Sequence, residues 1–441
     1  MKKKILCFLF ASVLSFSLIG CKGSSSDTST NSTTTEETEE TQPQEEVDYS
    51  ELSESDLEVL AYDDDAKACY YLGLLYDYGS DEIEKQPMIA FSWYEKSADA
   101  GYAEGCTALG YMYLKKENSI YFTSGGTEAD NWALIKTAEA YESKGKHIIT
   151  TAVEHHAILH TCRYLEERGF EVTYLGVDKD GRISVDELEK AIRPDTILIS
   201  VMFANNEVGT VQPIEEIGAI AKEHDIVFHT DAVQAFGHLP IDVEAMHIDL
   251  LSASGHKIYG PKGVGCLYIH NNLKISSLIH GGGQERARRA GTENVPGIVG
   301  FGAACELAAA SLDERMERES NLRDYFIEEL LSRVPDIKVN GSRENRLPNN
   351  VNVSFPYVEG ESMLIMLDMQ EICASSGSAC TAGSIDPSHV LMAMGLTSDE
   401  ARESVRFTLS DETTKEEIDK TVNAVEQIVE RLRSMSPHYN K

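Results

Sequence analysis

The sequence predicts an α/β protein with a mostly parallel sheet, a smaller α+β domain at its C-terminal end and a short α-helical repeat near its N-terminal end. Short apolar runs alternate with helical patterns between about residues 147 and 269, which is typical of parallel strands covered by helices on both faces. A long charged helical pattern predicts one helix from about residue 298 to Arg333, and short strand-like runs and a last helical pattern follow it. A helical pattern recurs within residues 57–116, as it does in stacked helix pairs.

The composition is that of a globular protein that does not bind nucleic acid. Of the 441 residues, 42% are hydrophobic and 25% are charged, which is ordinary for a soluble domain. The formal net charge of −34 has the wrong sign for a surface that binds a phosphate backbone. The nine cysteines show no paired spacing, so we expect reduced thiols in the main body.

The N-terminal end has the layout of a secretory signal. Three lysines precede an apolar run over residues 5–19, which is short for a membrane-spanning helix. The run ends in Leu18-Ile19-Gly20-Cys21, which resembles the bacterial lipobox. We therefore predict a lipoprotein signal peptide over residues 1–21 with Cys21 as the lipidated residue; an ordinary signal with a chance cysteine is the alternative. Residues 22–56 are rich in Ser, Thr and Glu, which predicts a disordered acidic linker.

Residues 57–116 predict a short helical repeat. The segment 68–73 returns in related form at 106–111. Together with residues 90–103, this pattern resembles the Sel1-like repeat, a relative of the tetratricopeptide repeat used for protein contacts. An unrelated helical hairpin with aromatic core residues is the alternative.

The main body begins at about residue 117, and we divide it into a large domain over residues 117–297 and a small domain over residues 298–441. At its start, residues 123–131 read Thr-Ser-Gly-Gly-Thr-Glu-Ala-Asp-Asn. Small residues that lead into a helix place free N–H groups where an anion can bind, although a plain helix start fits equally well. The patterns predict strands at 147–150, 171–177, 196–203, 226–230 and 263–269, and helices at 156–168, 185–192 and 214–224.

Polar residues cluster where two of these strands end. Asp231 and Gln234 follow one strand, and Ser254, His256 and Lys257 follow the next apolar run. Ligands of parallel sheets bind at the carboxyl ends of the strands. An enzyme that uses pyridoxal 5'-phosphate (PLP) needs an acid for the ring nitrogen, a donor for the ring oxygen, phosphate anchors and a lysine. This cluster supplies each of them, so we predict a PLP site with Lys257 as the attachment point.

Several motifs resemble those of one enzyme family. They are residues 122–128 (Phe-Thr-Ser-Gly-Gly-Thr-Glu), 205–209 (Asn-Asn-Glu-Val-Gly), 231–234 (Asp-Ala-Val-Gln), 254–263 (Ser-Gly-His-Lys-Ile-Tyr-Gly-Pro-Lys-Gly) and 375–380 (Ser-Ser-Gly-Ser-Ala-Cys). Together they make residues 120–437 similar to cysteine desulfurases of the NifS and IscS type, which are fold-type-I PLP enzymes of the class-V aminotransferase family.

The resemblance implies a role for each matching residue. Lys257 would hold PLP, Asp231 would pair with its ring nitrogen, and Asn206 with Gln234 would bind its ring oxygen. His155 would stack on the ring and move protons, while Asn206 and Arg406 would bind the substrate, Arg406 by clamping its carboxylate with a bidentate fork. The phosphate would be bound by Gly126, Thr127, Ser254, His256 and, from a neighbouring subunit, Thr292. Because Thr292 would act in a neighbouring subunit, the resemblance implies a homodimer.

Cys380 is the predicted sulfur acceptor. It lies in a run of small residues, 375–383, which suits a thiol that must approach the cofactor and then leave. By resemblance, L-cysteine would become L-alanine and the sulfur would remain on Cys380 as a persulfide, for transfer to an iron-sulfur scaffold or another sulfur-acceptor protein. His156 and His160 stand one helical turn apart, like zinc ligands, but the sequence offers no third ligand, so we assign no metal site.

The sequence departs from the family pattern before residue 120. The family's Leu-Asp-x-x-x-Thr-Thr run and Gly-Asn-Pro segment have no counterpart, so we expect an N-terminally truncated large domain. Two alternatives to an active desulfurase therefore stay open. One is an impaired desulfurase-like body fused to a lipid-anchored Sel1-repeat protein, and the other is a selenocysteine lyase or another class-V PLP enzyme. The sequence also predicts two conflicting locations. The lipobox indicates a membrane anchor, whereas the enzyme body indicates the cytoplasm.

Overall fold

The computed structural model describes residues 48–62, 65–80, 83, 86–100, 102, 119–271, 273–376, 387–437 and 439. Two compact units divide the chain near residue 118. The predicted signal peptide and most of the predicted linker, residues 1–47, lie outside the described residues. The segment 377–386, with Cys380, lies outside them as well.

The N-terminal unit contains three described helices: α1 (Glu54–Tyr62), α2 (Ala66–Tyr78) and α3 (Pro87–Asp99). The Asp65 side chain begins α2 by accepting hydrogen bonds from the backbone N–H groups of Lys67 and Ala68 at 2.9 and 3.0 Å. Helices α2 and α3 approach closely at Gly73, because a Cβ there would lie 2.4 Å from the Tyr94 ring. The glycine of the repeat motif thus permits the contact between the two helices.

The second unit contains a seven-stranded sheet in the order β1-β7-β6-β5-β4-β2-β3. Its strands are β1 (Ile120–Thr123), β2 (His147–Thr151), β3 (Glu171–Leu175), β4 (Thr196–Ser200), β5 (Val227–Asp231), β6 (Leu250–Ser254) and β7 (Gly265–Ile269). Neighbouring strands from β3 to β6 are parallel, whereas β7 is antiparallel to both β1 and β6. The predicted α/β class with a mostly parallel sheet is confirmed.

Helices cover both faces of this sheet, so its strands are apolar on both sides. They are α4 (Gly126–Tyr141), α5 (His156–Glu166), α6 (Val185–Ala191), α7 (Ile214–Glu223) and α8 (Val295–Ala310). One core includes Phe228, Phe236 and Phe301, and a second core, on the α4 side, is built around Trp132. The five strands and three helices predicted between residues 147 and 269 lie within a few residues of the observed bounds.

A smaller four-stranded sheet follows in the order β10-β11-β9-β8, with all its pairs antiparallel. Its strands are β8 (Lys338–Val339), β9 (Asn350–Ser354), β10 (Ser375–Ser376) and β11 (Ser404–Thr408). The helices of this part are α9 (Leu312–Arg333), α10 (Gly360–Asp368), α11 (His389–Ala393), α12 (Ser398–Arg402) and α13 (Lys415–Met435). Apolar residues of α9, α13 and the small sheet form a separate core.

The prediction of one long charged helix from residue 298 to Arg333 is wrong. Two helices, α8 and α9, meet at Ser311 with a bend of 73°, because the backbone of Ser311 (φ −111°, ψ 7°) leaves the helical region. Phe301 and Cys305 of α8 pack in the core of the large sheet. Among the described residues no single helix is long and apolar enough to cross a membrane; α8 and α9 meet that test only as a bent pair.

Candidate active site

The predicted site residues gather at the carboxyl ends of the parallel strands. Asp231 is the last residue of β5, Ser254 is the last residue of β6, and a 3-10 turn over Gly255–Ile258 carries Lys257. His155 follows β2 after a short loop. Parallel strands end at a common edge, so residues that are far apart in the sequence reach one crevice.

Asp231 is a buried carboxylate close to the Lys257 charge. Burial raises the pKa of Asp231 to about 6, while a hydrogen bond from the Val233 backbone and the charge of Lys257 act in the opposite direction. At neutral pH this carboxyl is therefore ionised. An ionised, water-excluded carboxylate is what a protonated pyridine nitrogen requires as its partner.

The predicted phosphate site lies at the N-terminal end of α4. Gly125 precedes the helix with φ 149°, and no side chain caps the first turn. A Cβ at Gly126 would lie 2.6 Å from Val233, so only glycine permits the close approach of α4 to the loop after β5. On the other side of the cradle, the Ser254 hydroxyl and His256 Nδ1 are 2.8 Å apart. Backbone N–H groups at a helix start, with a hydroxyl and an imidazole nearby, form an anion site.

These features fit PLP. The cradle offers anion donors at α4, a buried carboxylate for the ring nitrogen at Asp231, and the Lys257 amine for the aldehyde carbon. Burial and the charge of Lys257 both lower the pKa of His155 and His256. The glycines at 125 and 126 leave room where side chains would fill the phosphate end. The donor set therefore matches the cofactor at its phosphate, its ring nitrogen and its aldehyde carbon.

His155 is oriented by the helix that it begins. Its Nδ1 accepts a hydrogen bond from the Ala157 N–H at 3.1 Å and so caps α5. Since Nδ1 is the acceptor, the proton of the neutral ring is on Nε2. Burial lowers the pKa of His155, and the charge of Lys257 lowers it further. His155 is therefore neutral at pH 7, with one nitrogen used for capping and the other carrying a proton.

Arg406 lies on β11 of the small sheet and reaches the large one. Its Nη1 donates to the Asn206 backbone carbonyl at 2.7 Å, which brings the two predicted substrate-binding residues together. Gln234 is half-buried just beyond Asp231. Arg406 is also half-buried, so its guanidinium is held by the protein and still reachable for a small carboxylate.

Thr292 lies in an exposed loop. Among the described residues it has no hydrogen bond to Ser254 or His256. Its loop is instead attached to α4 by Arg289, which forms a fork with the Glu128 carboxylate at 2.8 and 3.0 Å. Glu285 and Arg286 of this loop have left-handed backbone angles. The role of Thr292 in a neighbouring subunit stays a prediction.

Two other predicted site residues lie outside the described part of the chain. They are Cys380, in the segment 377–386, and Cys21, in the segment 1–47. Ser376 at the end of β10 and Pro387 border the Cys380 segment. Strand β10 pairs with β11 so that Ser375 lies opposite Arg406. The segment that contains Cys380 therefore begins one residue after the strand partner of Val405 and close to Arg406, the predicted substrate-binding residue.

Sequence reasoning missed a group of buried polar residues under the site. His229 lies two residues before Asp231 and is fully buried, between Ser200 at 2.9 Å and Ser252 at 3.0 Å. Burial lowers the pKa of His229 to about 3 and raises that of Asp130, which lies 3.7 Å away, well above its usual range. His229 is therefore neutral at pH 7, and burial disfavours the ionised form of Asp130. Its position inside a strand that is buried on both faces is the signal that could have indicated a buried His229.

Glu154 is a second missed residue, immediately before His155. It is fully buried, and its Oε1 accepts hydrogen bonds from the Thr151 hydroxyl at 2.8 Å and the Met202 N–H at 2.9 Å. Its Oε2 has no hydrogen-bond partner among the described residues. Burial raises the pKa of Glu154 to about 8, so the carboxyl is largely protonated at neutral pH.

We expect Glu154→Gln to flatten the pH dependence of stability. Because the folded-state pKa is raised, the wild-type fold loses stability as the pH rises from about 4.5 to about 8, by up to about 1.4 kcal/mol per pH unit. Glutamine keeps the acceptor and carries no charge. Urea unfolding at pH 5 and pH 8 should therefore show a smaller loss in the variant. Glu166→Gln, at an exposed position, is the control; equal losses in wild type and Glu154→Gln would contradict the assignment.

The comparisons with known proteins agree with this geometry. The aminotransferase class-V family model matches residues 98–421, about three quarters of the chain. The chain therefore belongs to the class-V aminotransferase family. A Sel1 repeat model matches residues 66–102, as the sequence of that region indicates.

The curated relatives narrow the assignment within the family. Cysteine desulfurase IscS of Methanosarcina thermophila is 59% identical over 322 residues, which are 73% of this chain and 80% of the relative. Putative cysteine desulfurase IscS 1 of Bacillus subtilis (strain 168) is 54% identical over 317 residues, 72% and 84% of the two chains. The protein is a cysteine desulfurase. The two alternative functions have no better support in these comparisons.

Solved structures of related proteins have the same fold. A NifS-like protein is 38% identical with a TM-score of 0.67, and the match covers 76% of this chain and 91% of that one. The structure of SspA in complex with cysteine is 42% identical with a TM-score of 0.57, covering 66% and 81%. These relatives imply PLP as the cofactor of the family.

Proposed function

We propose that the chain transfers sulfur from L-cysteine to its own Cys380, with PLP held at Lys257. The observation that supports this most is the placement of Lys257 at the same sheet edge as an ionised, buried Asp231 and an anion cradle. The direct test is incubation of the purified protein with L-cysteine and quantification of alanine and sulfide. A preference for L-selenocysteine over L-cysteine would favour the selenocysteine lyase alternative.

PLP would be held at four points of the chain. Lys257 would attach it, Asp231 would pair with its ring nitrogen, and Asn206 with Gln234 would bind its ring oxygen. The phosphate would be bound by Gly126, Thr127, Ser254 and His256, with Thr292 of a neighbouring subunit. When bound, PLP supplies an electron sink for the negative charge that develops at the substrate Cα.

The proton transfers belong to Lys257 and His155. The Lys257 amine would be the base that removes the Cα proton of the bound substrate. His155 is neutral, with its proton on Nε2, so it would offer an N–H donor at that nitrogen. Its capping bond to Ala157 holds the imidazole in that orientation.

The sulfur transfer itself requires a thiolate. The Cys380 thiolate attacks the substrate sulfur, the bond between that sulfur and the substrate Cβ breaks, and a proton returns to the carbon skeleton as alanine forms. The products are one alanine and one Cys380 persulfide per cysteine, so no external oxidant is needed. The persulfide is the form in which sulfur would pass to an iron-sulfur scaffold or another acceptor protein.

We expect Arg406→Lys to weaken substrate binding selectively. A bidentate bond from a guanidinium to a carboxylate contributes about 1.5–3 kcal/mol, and lysine cannot form the fork. The KM for L-cysteine should therefore rise about 10–100-fold, while the PLP content stays that of the wild type. Arg402→Lys, at an exposed position on α12, is the control. An unchanged KM in Arg406→Lys would remove Arg406 from the substrate site.

The homodimer and the membrane anchor are separate proposals. The exposed loop around Thr292 supports a homodimer, since in the family that loop completes the neighbouring subunit's phosphate site. The lipobox-like sequence before Cys21 supports a lipid-anchored form, with the Sel1-like repeat as a surface for protein contacts. The enzyme body supports a cytoplasmic location of the protein instead.

We expect Cys21→Ser to move the full-length protein from the membrane fraction to the soluble fraction of its bacterial host. Stable membrane attachment requires the acyl chains that this cysteine would carry. The measurement is an immunoblot of the two fractions, with Cys7→Ser in the same segment as the control. Membrane association that persists in Cys21→Ser would contradict a lipid anchor at this residue.

A further inference from the structure

Four histidines lie together beside the candidate active site, at the start of α5 and the start of α11. The ring centres of His156 and His160 are 5.1 Å apart, and those of His156 and His389 are 4.8 Å apart. His155 is the fourth member, 6.3 Å from His156. The sequence offered only the pair on α5; the fold adds His389 from the far end of the chain.

His389 is already oriented as a metal ligand would be. Its Nε2 is 2.9 Å from the Glu154 backbone carbonyl. A carbonyl only accepts, so Nε2 carries the proton and Nδ1 has its lone pair available. A histidine that binds a metal nearly always donates its other N–H to a carbonyl or carboxylate in this way.

The separations of the His156 ring from the other two rings also suit one cation. An imidazole nitrogen lies about 2.0–2.1 Å from zinc, so two ring centres around a tetrahedral ion are about 5 Å apart. The two ring separations from His156 are close to that value. The rings of His156 and His160 stack at 30°, and as the side chains stand no group of three or more His, Cys, Asp or Glu residues in the described part of the chain could hold a metal ion. His160 is exposed and His156 is half-buried, so their rings have room to turn.

We propose that His156, His160 and His389 form a binding site for one borderline divalent cation such as Zn²⁺. Imidazole is a good ligand for zinc, copper and nickel, and water would occupy the fourth position. The bound ion would join α5 to α11, the helix that follows the Cys380 segment. Because the ion would bind only the folded chain, it would also raise the stability of this contact. The site does not depend on the desulfurase activity.

The test is equilibrium dialysis of the full-length holoprotein against Zn²⁺ alone, with the bound metal measured per chain. Cys380→Ser and Cys373→Ser are introduced together in every sample, so that thiolates at these two positions cannot bind the ion. We expect one bound Zn²⁺ and a higher unfolding midpoint. His160→Ala should weaken binding at least about tenfold, and its exposed position makes a loss of folding a poor explanation. His389→Ala should have the same effect.

His224→Ala, an exposed histidine outside the cluster, is the matched control and should bind Zn²⁺ like the parent. Equal binding by the parent, His160→Ala and His389→Ala would overturn the proposal, as would no measurable binding by the parent.

Discussion

Replacement of Cys380 by alanine should lower alanine formation from L-cysteine by three orders of magnitude or more, on the order of what loss of an essential nucleophile costs. The proposed reaction has no other acceptor for the substrate sulfur at the site. The absorbance of bound PLP should be unchanged, because Cys380 has no role in holding the cofactor. Alanine and sulfide release, with a visible absorbance spectrum of the same sample, measure both effects.

Cys373→Ala is the matched control for this experiment. Cys373 is the exposed free cysteine among the described residues and lies just before β10. Its replacement should leave activity at the wild-type level. Full activity in Cys380→Ala, or its loss in Cys373→Ala, would mean that a different thiol accepts the sulfur.

The second large effect is expected for Lys257→Ala. Since Lys257 would both attach PLP and remove the Cα proton, its loss should abolish turnover and leave no cofactor that borohydride can fix to the chain. Mass spectrometry of the reduced protein measures the attachment, and circular dichroism verifies the fold. Wild type should show one PLP-bearing peptide, the one that contains Lys257.

Lys262→Ala controls for the loss of a positive charge near the site. Lys262 is exposed five residues after Lys257, and its charge, like that of Lys257, lowers the pKa of His256. It should retain PLP and most of its activity. Borohydride-fixed PLP in Lys257→Ala would place the attachment at another lysine.

Much of the fold followed from the sequence because each strand and helix has a local pattern. Buried strands read as short apolar runs, and the residues after them, Asp231 and Lys257 among them, fall at a common edge once the strands are parallel. The break at Ser311 was missed, because an apolar helix and a charged helix in succession read as one continuous periodicity. A single backbone angle at the junction has no sequence signature of its own.

The buried groups of the site were harder to predict. A glutamate next to His155 reads as an ordinary polar residue, and only packing shows that Glu154 is enclosed and largely protonated. The contact between His389 and Glu154 joins positions 235 residues apart, which no periodicity records. Thr292 was predicted from the sequence, but the fold of one chain cannot test its role, because that role needs a second subunit.

A single-turnover reaction with ³⁵S-labelled L-cysteine tests the central claim, sulfur transfer by a PLP-loaded chain to Cys380, most directly. The purified protein, in excess over substrate and without reductant, is quenched and digested, and alanine and labelled peptides are quantified. We predict one alanine for each cysteine consumed and an equal amount of label on the peptide that contains Cys380. Alanine formed with the label on another peptide, or no alanine from a PLP-loaded protein, would contradict the account.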